Sequence, residues 1–168
     1  KNNTFICNNC EKTLPYIKGT VCAKCSSPRE EGSMPVCHIC RKFSHSFSGS
    51  FTPLLYEGKA RKAILNLKFH NKESFCRSFA YLICNNIIEK GFPDIDFITY
   101  IPLSPQGYKE RGFNQSELVA TMCGDILSLP VKDTLYRIDG TPKQSKLSPA
   151  QRRKNAKKSF FAKDLKLS

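Results

Sequence analysis

The sequence predicts a small cysteine-rich module followed by an α/β domain with a parallel sheet. Six of the nine cysteines fall in the first forty residues, as three C-x-x-C pairs. Helical periodicity begins only after that segment, and a later β-favouring run leads through a loop into a capped helix, as in the βα unit of an open parallel sheet. We therefore expect one module over residues 1–45 and a second over residues 46–168.

The cysteine pairs predict a structural zinc ribbon, because each C-x-x-C knuckle points two thiolates at one ion and two knuckles complete a tetrahedral site. Three pairs supply more cysteines than one tetrahedral site needs and fewer than two such sites need. The simplest expectation is one complete site formed by Cys22, Cys25, Cys37 and Cys40. Cys7 and Cys10 would then form half of another site, and a single site shared by Cys7/Cys10 and Cys22/Cys25 is an open alternative. The candidate zinc ligands in chain order are Cys7, Cys10, Cys22, Cys25, Cys37 and Cys40.

The remaining candidate groups near the knuckles have ordinary interpretations. His38 lies inside a knuckle and is expected to be a bystander, and the cysteines at 76, 84 and 123 are expected to be buried thiols. Redox chemistry at the pairs is the alternative, but a thioredoxin-like C-x-x-C follows a strand in a βαβ pattern, and no such pattern precedes these pairs.

Apolar periodicity indicates the scaffold of the second module. Residues 47–56 look like a strand leading into a turn. Gly58 opens a helical stretch, and a second helix is predicted from about Ser74 to Lys90. A buried strand is predicted over residues 96–101.

A loop over residues 102–113 should follow that strand at the edge of the sheet where ligands bind. Arg111 suits bidentate phosphate binding, and Gly112 permits a tight turn. Asn114 is expected to cap the next helix, with Glu117 in capping-box position and Gln115 beside it. A plain connecting loop is the alternative interpretation.

A strongly basic stretch occupies residues 139–158 and is expected to be a mobile loop. It contains Gln144, Arg152 and Asn155, and it is suited to closing over a polyphosphate or lying along a nucleic-acid backbone. A solvated run of charge is the alternative. The formal net charge of the chain, +13, also favours an anionic partner.

No run of residues is apolar enough to span a bilayer, and no signal peptide is recognisable. Clustered metal-type cysteines favour a reducing compartment, so we expect a cytoplasmic protein that does not span the membrane.

The ordered set of these segments resembles the ComF family over nearly the whole chain. After the C-x-x-C pairs come, in order, Tyr56-Glu57-Gly58, Leu67-Lys68-Phe69, Ile101-Pro102-Leu103, Arg111-Gly112-Phe113-Asn114-Gln115 and the spaced residues Gln144, Leu147, Arg152, Asn155 and Phe160.

The resemblance implies a double zinc ribbon and an incomplete, type I phosphoribosyltransferase-like parallel sheet. It implies a protein that handles single-stranded DNA during natural transformation, together with other DNA-uptake proteins. It places the Pro102 region at a pyrophosphate loop and residues 144–155 at a flexible catalytic loop, with magnesium-bound phosphoribosyl pyrophosphate (PRPP) as a further candidate ligand. A phosphoribosyltransferase with an unidentified acceptor and a zinc-ribbon adaptor are the alternative functions.

The chain departs from the family pattern at two places. The first C-x-x-C of the double ribbon is absent, and so is the acidic D-D-x-x-T-T-G loop that grips PRPP. The resemblance therefore predicts a fragment truncated at both ends and without catalytic competence.

Overall fold

The structure is a computed structural model that describes residues 5–43, 45–69, 72–91, 94–140 and 147–164. These ranges are rich in helix and contain one regular two-stranded sheet. The elements in chain order are α1 (Asn8–Thr13), α2 (His38–Lys42), α3 (Gly58–Phe69), α4 (Ser74–Glu89), α5 (Pro105–Arg111), α6 (Gln115–Leu127), β1 (Leu135–Arg137), α7 (Pro149–Ser159) and β2 (Phe160–Ala162).

Packing of α4 against α6 forms the centre of the second module. Ala80 and Cys84 of α4 meet Cys123 of α6, and all three side chains are buried. These small side chains let the two helix backbones approach closely, so that the Cys123 thiol lies 3.9 Å from the Ala80 carbonyl oxygen. The expectation of buried thiols is confirmed at Cys76, Cys84 and Cys123, and burial raises the pKa of Cys123 to about 12.

The two helices predicted from periodicity are confirmed. The first begins at Gly58, and its Ala60 and Leu67 side chains are buried as expected for the apolar face. The second runs from Ser74 to Glu89, one residue short of the predicted end. Segment 47–56, predicted as a strand, makes one antiparallel bridge, between Leu54 and Tyr16.

That segment is extended because it pairs with the cysteine-rich module rather than with a sheet. The Ile17 amide donates to the Pro53 carbonyl at 3.0 Å, and the Leu55 amide donates to the Pro15 carbonyl at 2.9 Å. These bonds attach the chain entering α3 to the module that precedes it.

The predicted βα unit is present in outline. Ile98 forms a parallel bridge with Val131, so the chain leaves one extended segment, passes through α6 and returns in the same direction. The bridge has two hydrogen bonds, from the Ile98 amide to the Pro130 carbonyl at 2.9 Å and from the Lys132 amide to the Ile98 carbonyl at 2.8 Å. Within the described residues, parallel pairing is limited to this bridge, and the regular sheet of β1 with β2 is antiparallel.

The prediction of a loop over residues 102–113 was wrong in one respect, because α5 lies within it. Ser104 caps this helix by accepting a hydrogen bond from the Gly107 amide at 3.1 Å, and Pro105 occupies its first turn. Gly112 ends the helix in the left-handed region, with φ of 78°. Proline is favoured at the first helical position, where no amide donor is needed, so Pro105 is compatible with the start of α5.

The prediction of a mobile basic loop over residues 139–158 was wrong for its second half. Residues 149–159 form α7, which begins with a full capping box: the Ser148 hydroxyl accepts from the Gln151 amide, and the Gln151 side chain accepts from the Ser148 amide. Pro149 again stands in the first turn of the helix, and charge on every side of α7 hid it from apolar periodicity.

We predict that Gly124→Ala destabilises the protein, because a Cβ atom at this position would lie 2.6 Å from Val131 Cγ2 and 2.9 Å from the Leu129 carbonyl oxygen. The expected loss in the free energy of unfolding is about 1–3 kcal/mol, measured by chemical denaturation. Gly107→Ala is the matched control, since its Cβ would have no contact closer than 3.4 Å. Equal stability of Gly124→Ala and the native protein would contradict the close approach.

Candidate metal centre and ligand cleft

Four cysteine sulfurs converge in the cysteine-rich module. The Sγ atoms of Cys22, Cys25, Cys37 and Cys40 all lie within 4.8 Å of one another, and those of Cys25 and Cys37 are 3.8 Å apart. Four sulfurs at about 2.3 Å from a tetrahedral zinc ion are separated by about 3.8 Å. The cluster therefore fits a zinc ion in size and donor type, and it is the complete site that the spacing favoured.

Two short turns of backbone build the cluster. The Cys22/Cys25 pair lies in a tight hairpin, where Val21 forms a bridge with Pro28 and the Cys22 amide donates to the Ser27 carbonyl at 2.8 Å. Ser26 completes this knuckle with φ of 56°, a left-handed conformation that turns the chain back. In the Cys37/Cys40 pair, Cys37 is the N-cap of α2 and its sulfur accepts a hydrogen bond from the Cys40 amide.

Backbone amides make the cluster suited to thiolates. The Cys37 amide donates to the Cys22 sulfur at 3.3 Å. That bond, with a second from the Cys25 amide, lowers the pKa of Cys22 to about 6. Burial, with a smaller effect of the neighbouring sulfurs, raises the pKa of Cys40 to about 12. A metal ion binding here must therefore displace protons from the less acidic thiols.

The remaining C-x-x-C pair lies elsewhere. Cys7 is exposed at the start of α1. With Cys10, it lines an apolar cavity of about 340 Å³ whose other walls include Lys59 of α3 and Phe79 of α4. His38 is exposed on α2 and is not among the four converging residues. Sulfurs from Cys7 and Cys10 supply two ligands, too few to close a tetrahedral site.

A cleft of about 330 Å³ opens beyond the ends of the two parallel segments that Ile98 and Val131 join. This is the edge at which α/β sheets bind ligands. Its walls combine the chain before α5, the start of α6 and the chain around β1. The polar side chains lining it are Tyr100, Ser104, Tyr108, Asn114, Glu117, Asp133, Tyr136, Arg137 and Lys163.

Asn114 joins the first extended segment to α6, as the predicted N-cap. Its Oδ1 atom accepts from the Ser116 amide at 3.1 Å, and its Nδ2 atom donates to the Ile101 carbonyl at 3.1 Å. The Ser116 hydroxyl donates to the same carbonyl at 2.6 Å. The side chain of Glu117 points instead to Tyr100, whose hydroxyl donates to it at 3.2 Å.

The carboxylates of the cleft lie close enough to Tyr100 to affect the pKa of its hydroxyl. Burial, followed by the carboxylates of Glu117 and Asp133, raises the pKa of Tyr100 to about 12. The phenol therefore stays protonated at neutral pH and remains a donor. Lys163, which also lines the cleft, forms an ion pair with Asp133.

Arg111 and Gln115 are brought together where α5 ends and α6 begins. Arg111 Nη1 donates to Gln115 Oε1 at 3.2 Å across the turn at Gly112. Gln115 is 8% exposed, and its Nε2 donor has no hydrogen-bond partner. Of the candidate residues in this segment, Asn114 lines the cleft, whereas the walls defined by the described residues do not include Arg111, Gly112 or Gln115.

A hydrogen bond connects segment 102–113 with the basic segment 139–158. The Gln106 amide in the first turn of α5 donates to Asp139 Oδ1 at 3.1 Å. Arg152, exposed on α7, donates from Nε to the Leu147 carbonyl at 2.9 Å. Asn155 is half-buried one turn later, and Gln144 lies outside the described residues.

Sequence reasoning missed most of the cleft. Tyr100, Asp133 and Lys163 were not selected because no motif contains them and they come from three separate segments. One usable signal was present: Tyr100 ends the β-favouring run, and side chains at the carboxyl end of a parallel segment face the ligand edge of the sheet.

None of the helices in the described part of the chain combines the length and hydrophobicity needed to cross a bilayer.

The chain is similar to a bacterial competence protein and to bacterial DNA utilization proteins. It is 27% identical over 159 residues to competence protein ComFC of Bacillus subtilis (strain 168), covering 90% of this chain and 63% of that protein. It is 25% identical over 160 residues to DNA utilization protein YhgH of Salmonella typhi, and 26% identical over 160 residues to that of Escherichia coli O157:H7. Both alignments cover 92% of this chain and 70% of the relative. No protein-family model and no solved structure matches it.

We predict that Cys25→Ser removes the metal of the four-cysteine cluster, because three sulfurs and a hydroxyl hold zinc far less tightly than four thiolates. Elemental analysis should show about one zinc ion fewer per chain, and thermal unfolding should begin at a lower temperature. Cys7→Ser is the matched control and should keep the zinc of this cluster. Retention of all zinc by Cys25→Ser would contradict the assignment of the site.

Proposed function

Because this chain is a relative of the ComF proteins, we propose that it handles single-stranded DNA during natural transformation, on the cytoplasmic side of the membrane and on a PRPP-binding type of fold. The observation that carries the proposal is the similarity, over 90% or more of the chain, to a competence protein and to DNA utilization proteins. DNA-uptake proteins would then be its partners.

The placement of positive charge supports DNA as the ligand. Helix α7 carries five cations and no acidic residue, and all five side chains are exposed: Arg152, Arg153, Lys154, Lys157 and Lys158. A phosphate backbone is bound mainly through such cations, whatever its base sequence. The helix has few apolar positions to pack, so its charge is available to a ligand.

Helix α7 also touches the metal-binding module. The guanidinium of Arg153 lies 4.5 Å from the ring centre of Phe43, which directly follows α2. Arg41 and Lys42 in the last turn of α2 are exposed beside that ring. A basic surface would thus continue from α7 onto the zinc module.

Neutralising α7 tests this proposal. The quadruple substitution of Arg152, Lys154, Lys157 and Lys158 by Gln removes four positive charges while keeping good helix formers. If each cation contacts one phosphate, the log–log salt dependence of oligo-dT binding should lose a slope of about 3, and affinity at moderate salt should fall more than tenfold. Fluorescence anisotropy over a salt series provides the measurement.

The control removes the same charge elsewhere, by substituting Lys62, Lys68, Lys72 and Lys90 with Gln. These lysines are exposed on or beside α3 and α4, and their loss should change affinity less than threefold. Equal losses in both variants would argue against α7 as the binding surface. Failure of the native protein to bind oligo-dT even at low salt would reject the proposed function.

A phosphoribosyltransferase-type site is the second candidate, favoured by the cleft. Glu117 and Asp133 offer the carboxylate oxygens that Mg²⁺ prefers. Arg137 and Lys163 on the walls offer cations for phosphate groups. Magnesium bound to PRPP would supply charge neutralisation of the pyrophosphate, and these side chains would hold and orient the ligand.

Calorimetric titration with magnesium-PRPP tests the cleft. We expect Glu117→Gln to weaken binding about tenfold, because it removes one charged oxygen ligand. Glu89→Gln, at the exposed end of α4, is the matched control and should bind like the native protein. An absence of binding heat with the native protein would reject the PRPP site and leave the DNA proposal standing.

A further inference from the structure

Two aromatic rings lie stacked on the outside of the metal-binding module. The ring centres of His45 and Phe47 are 4.9 Å apart, with an angle of 26° between the planes. Lys24 Nζ lies 5.3 Å from the centre of the Phe47 ring. Phe47 remains 44% exposed. The Phe47 ring therefore combines an aromatic neighbour, a cation and a large solvent-exposed area.

The four-cysteine cluster determines where these rings lie. Lys24 is inside the Cys22–Cys25 knuckle, so the metal site positions its backbone. The chain that follows Phe47 crosses the same knuckle, where the buried Ser26 hydroxyl donates to the Ser50 carbonyl. The aromatic pair and the lysine are therefore carried by one element that zinc would hold rigid.

This arrangement has the chemistry that single-stranded nucleic acid requires. Every base has a π-face that stacks on an exposed aromatic ring, and a neighbouring cation pairs with the phosphate that follows. Packing in a core does not account for Phe47, because its ring is far from complete burial and lies against His45 and Lys24.

We propose that His45 and Phe47 form a base-stacking platform for single-stranded DNA, with Lys24 as its phosphate contact. The proposal rests on the DNA-handling function proposed above and assigns a site to it. Phe43, which Arg153 of α7 covers at 4.5 Å, is two residues before His45. Phosphates bound along α7 would thus lead the strand toward the platform.

Charge favours DNA over a protein partner at this surface. The cations next to Phe43 and Phe47 are Lys24, Lys42 and Arg153, which lie within 6 Å of a ring centre. An anionic polymer that also offers flat apolar faces matches both features.

Substitution of Phe47 tests the platform. Phe47→Leu keeps apolar bulk but removes the π-face, and it should weaken oligo-dT binding about tenfold. Phe47→Tyr should bind like the native protein. Phe69→Leu makes the same change at the exposed end of α3 and should have no effect. An abasic oligomer of equal length should bind the native protein and Phe47→Leu equally, because it offers phosphates without bases.

A spectroscopic measurement reports stacking directly. The chain has no tryptophan, so Phe47→Trp places a single indole at the platform. Its fluorescence should be quenched by oligo-dT and not by the abasic oligomer. Zinc content, measured on every variant, shows whether the module has kept its metal.

The outcomes separate this proposal from the proposed function. Unchanged oligo-dT affinity of Phe47→Leu, or an unquenched indole in the DNA complex, would overturn the platform while DNA handling stands. Failure of the native protein to bind oligo-dT would reject both. Loss of zinc in Phe47→Leu would leave the decision to the quenching of Phe47→Trp.

Discussion

The convergence of four cysteine sulfurs is the constraint on which the amino-terminal part of this protein depends. The buried hydrophobic side chains between residues 5 and 43 are Ile6 and two of the cysteines themselves, so apolar burial supplies little cohesion there. A metal ion bound by four thiolates would replace the missing core, because its binding free energy would become folding free energy. The hairpin at Cys22, the cap at Cys37 and the chain that crosses them follow from this one site.

The second module depends on helix packing rather than on a metal site, and small side chains make that packing close. Ala80, Cys84 and Cys123 allow α4 and α6 to approach until thiols reach carbonyl oxygens of the facing helix. Gly124 extends this close packing to the chain at Val131. With α6 held in this position, Asn114 at its start reaches the Ile101 carbonyl and sets one wall of the cleft.

A cation–π contact between α7 and Phe43 joins the two modules. Arg153 of α7 covers the Phe43 ring of the metal-binding module. A surface that binds a long anionic polymer gains from such continuity, since cations on separate elements contact one phosphate backbone only when the elements are aligned. Zinc and the basic helix would then support one binding surface.

Prediction from sequence succeeded where a local pattern determines local structure. The apolar spacing from Ala60 to Leu67 predicted α3, and Asn114 was recognised as a helix cap because capping acts within four residues. It was wrong at α5 and α7, which were predicted as loop and which begin with Pro105 and Pro149 in their first turns. The expected parallel sheet is represented among the described residues by the Ile98–Val131 bridge, since strand pairing depends on partners distant in sequence.

The chemistry of the candidate metal site follows from residue type and C-x-x-C spacing, which restrict the ligands to cysteine knuckles. The basic character of the chain likewise follows from its composition. Folding in three dimensions establishes which four cysteines converge, that Tyr100, Glu117 and Lys163 share a cleft, and that Phe47 lies beside Lys24. Each of these depends on distances between segments that are far apart along the chain, and packing alone establishes such distances.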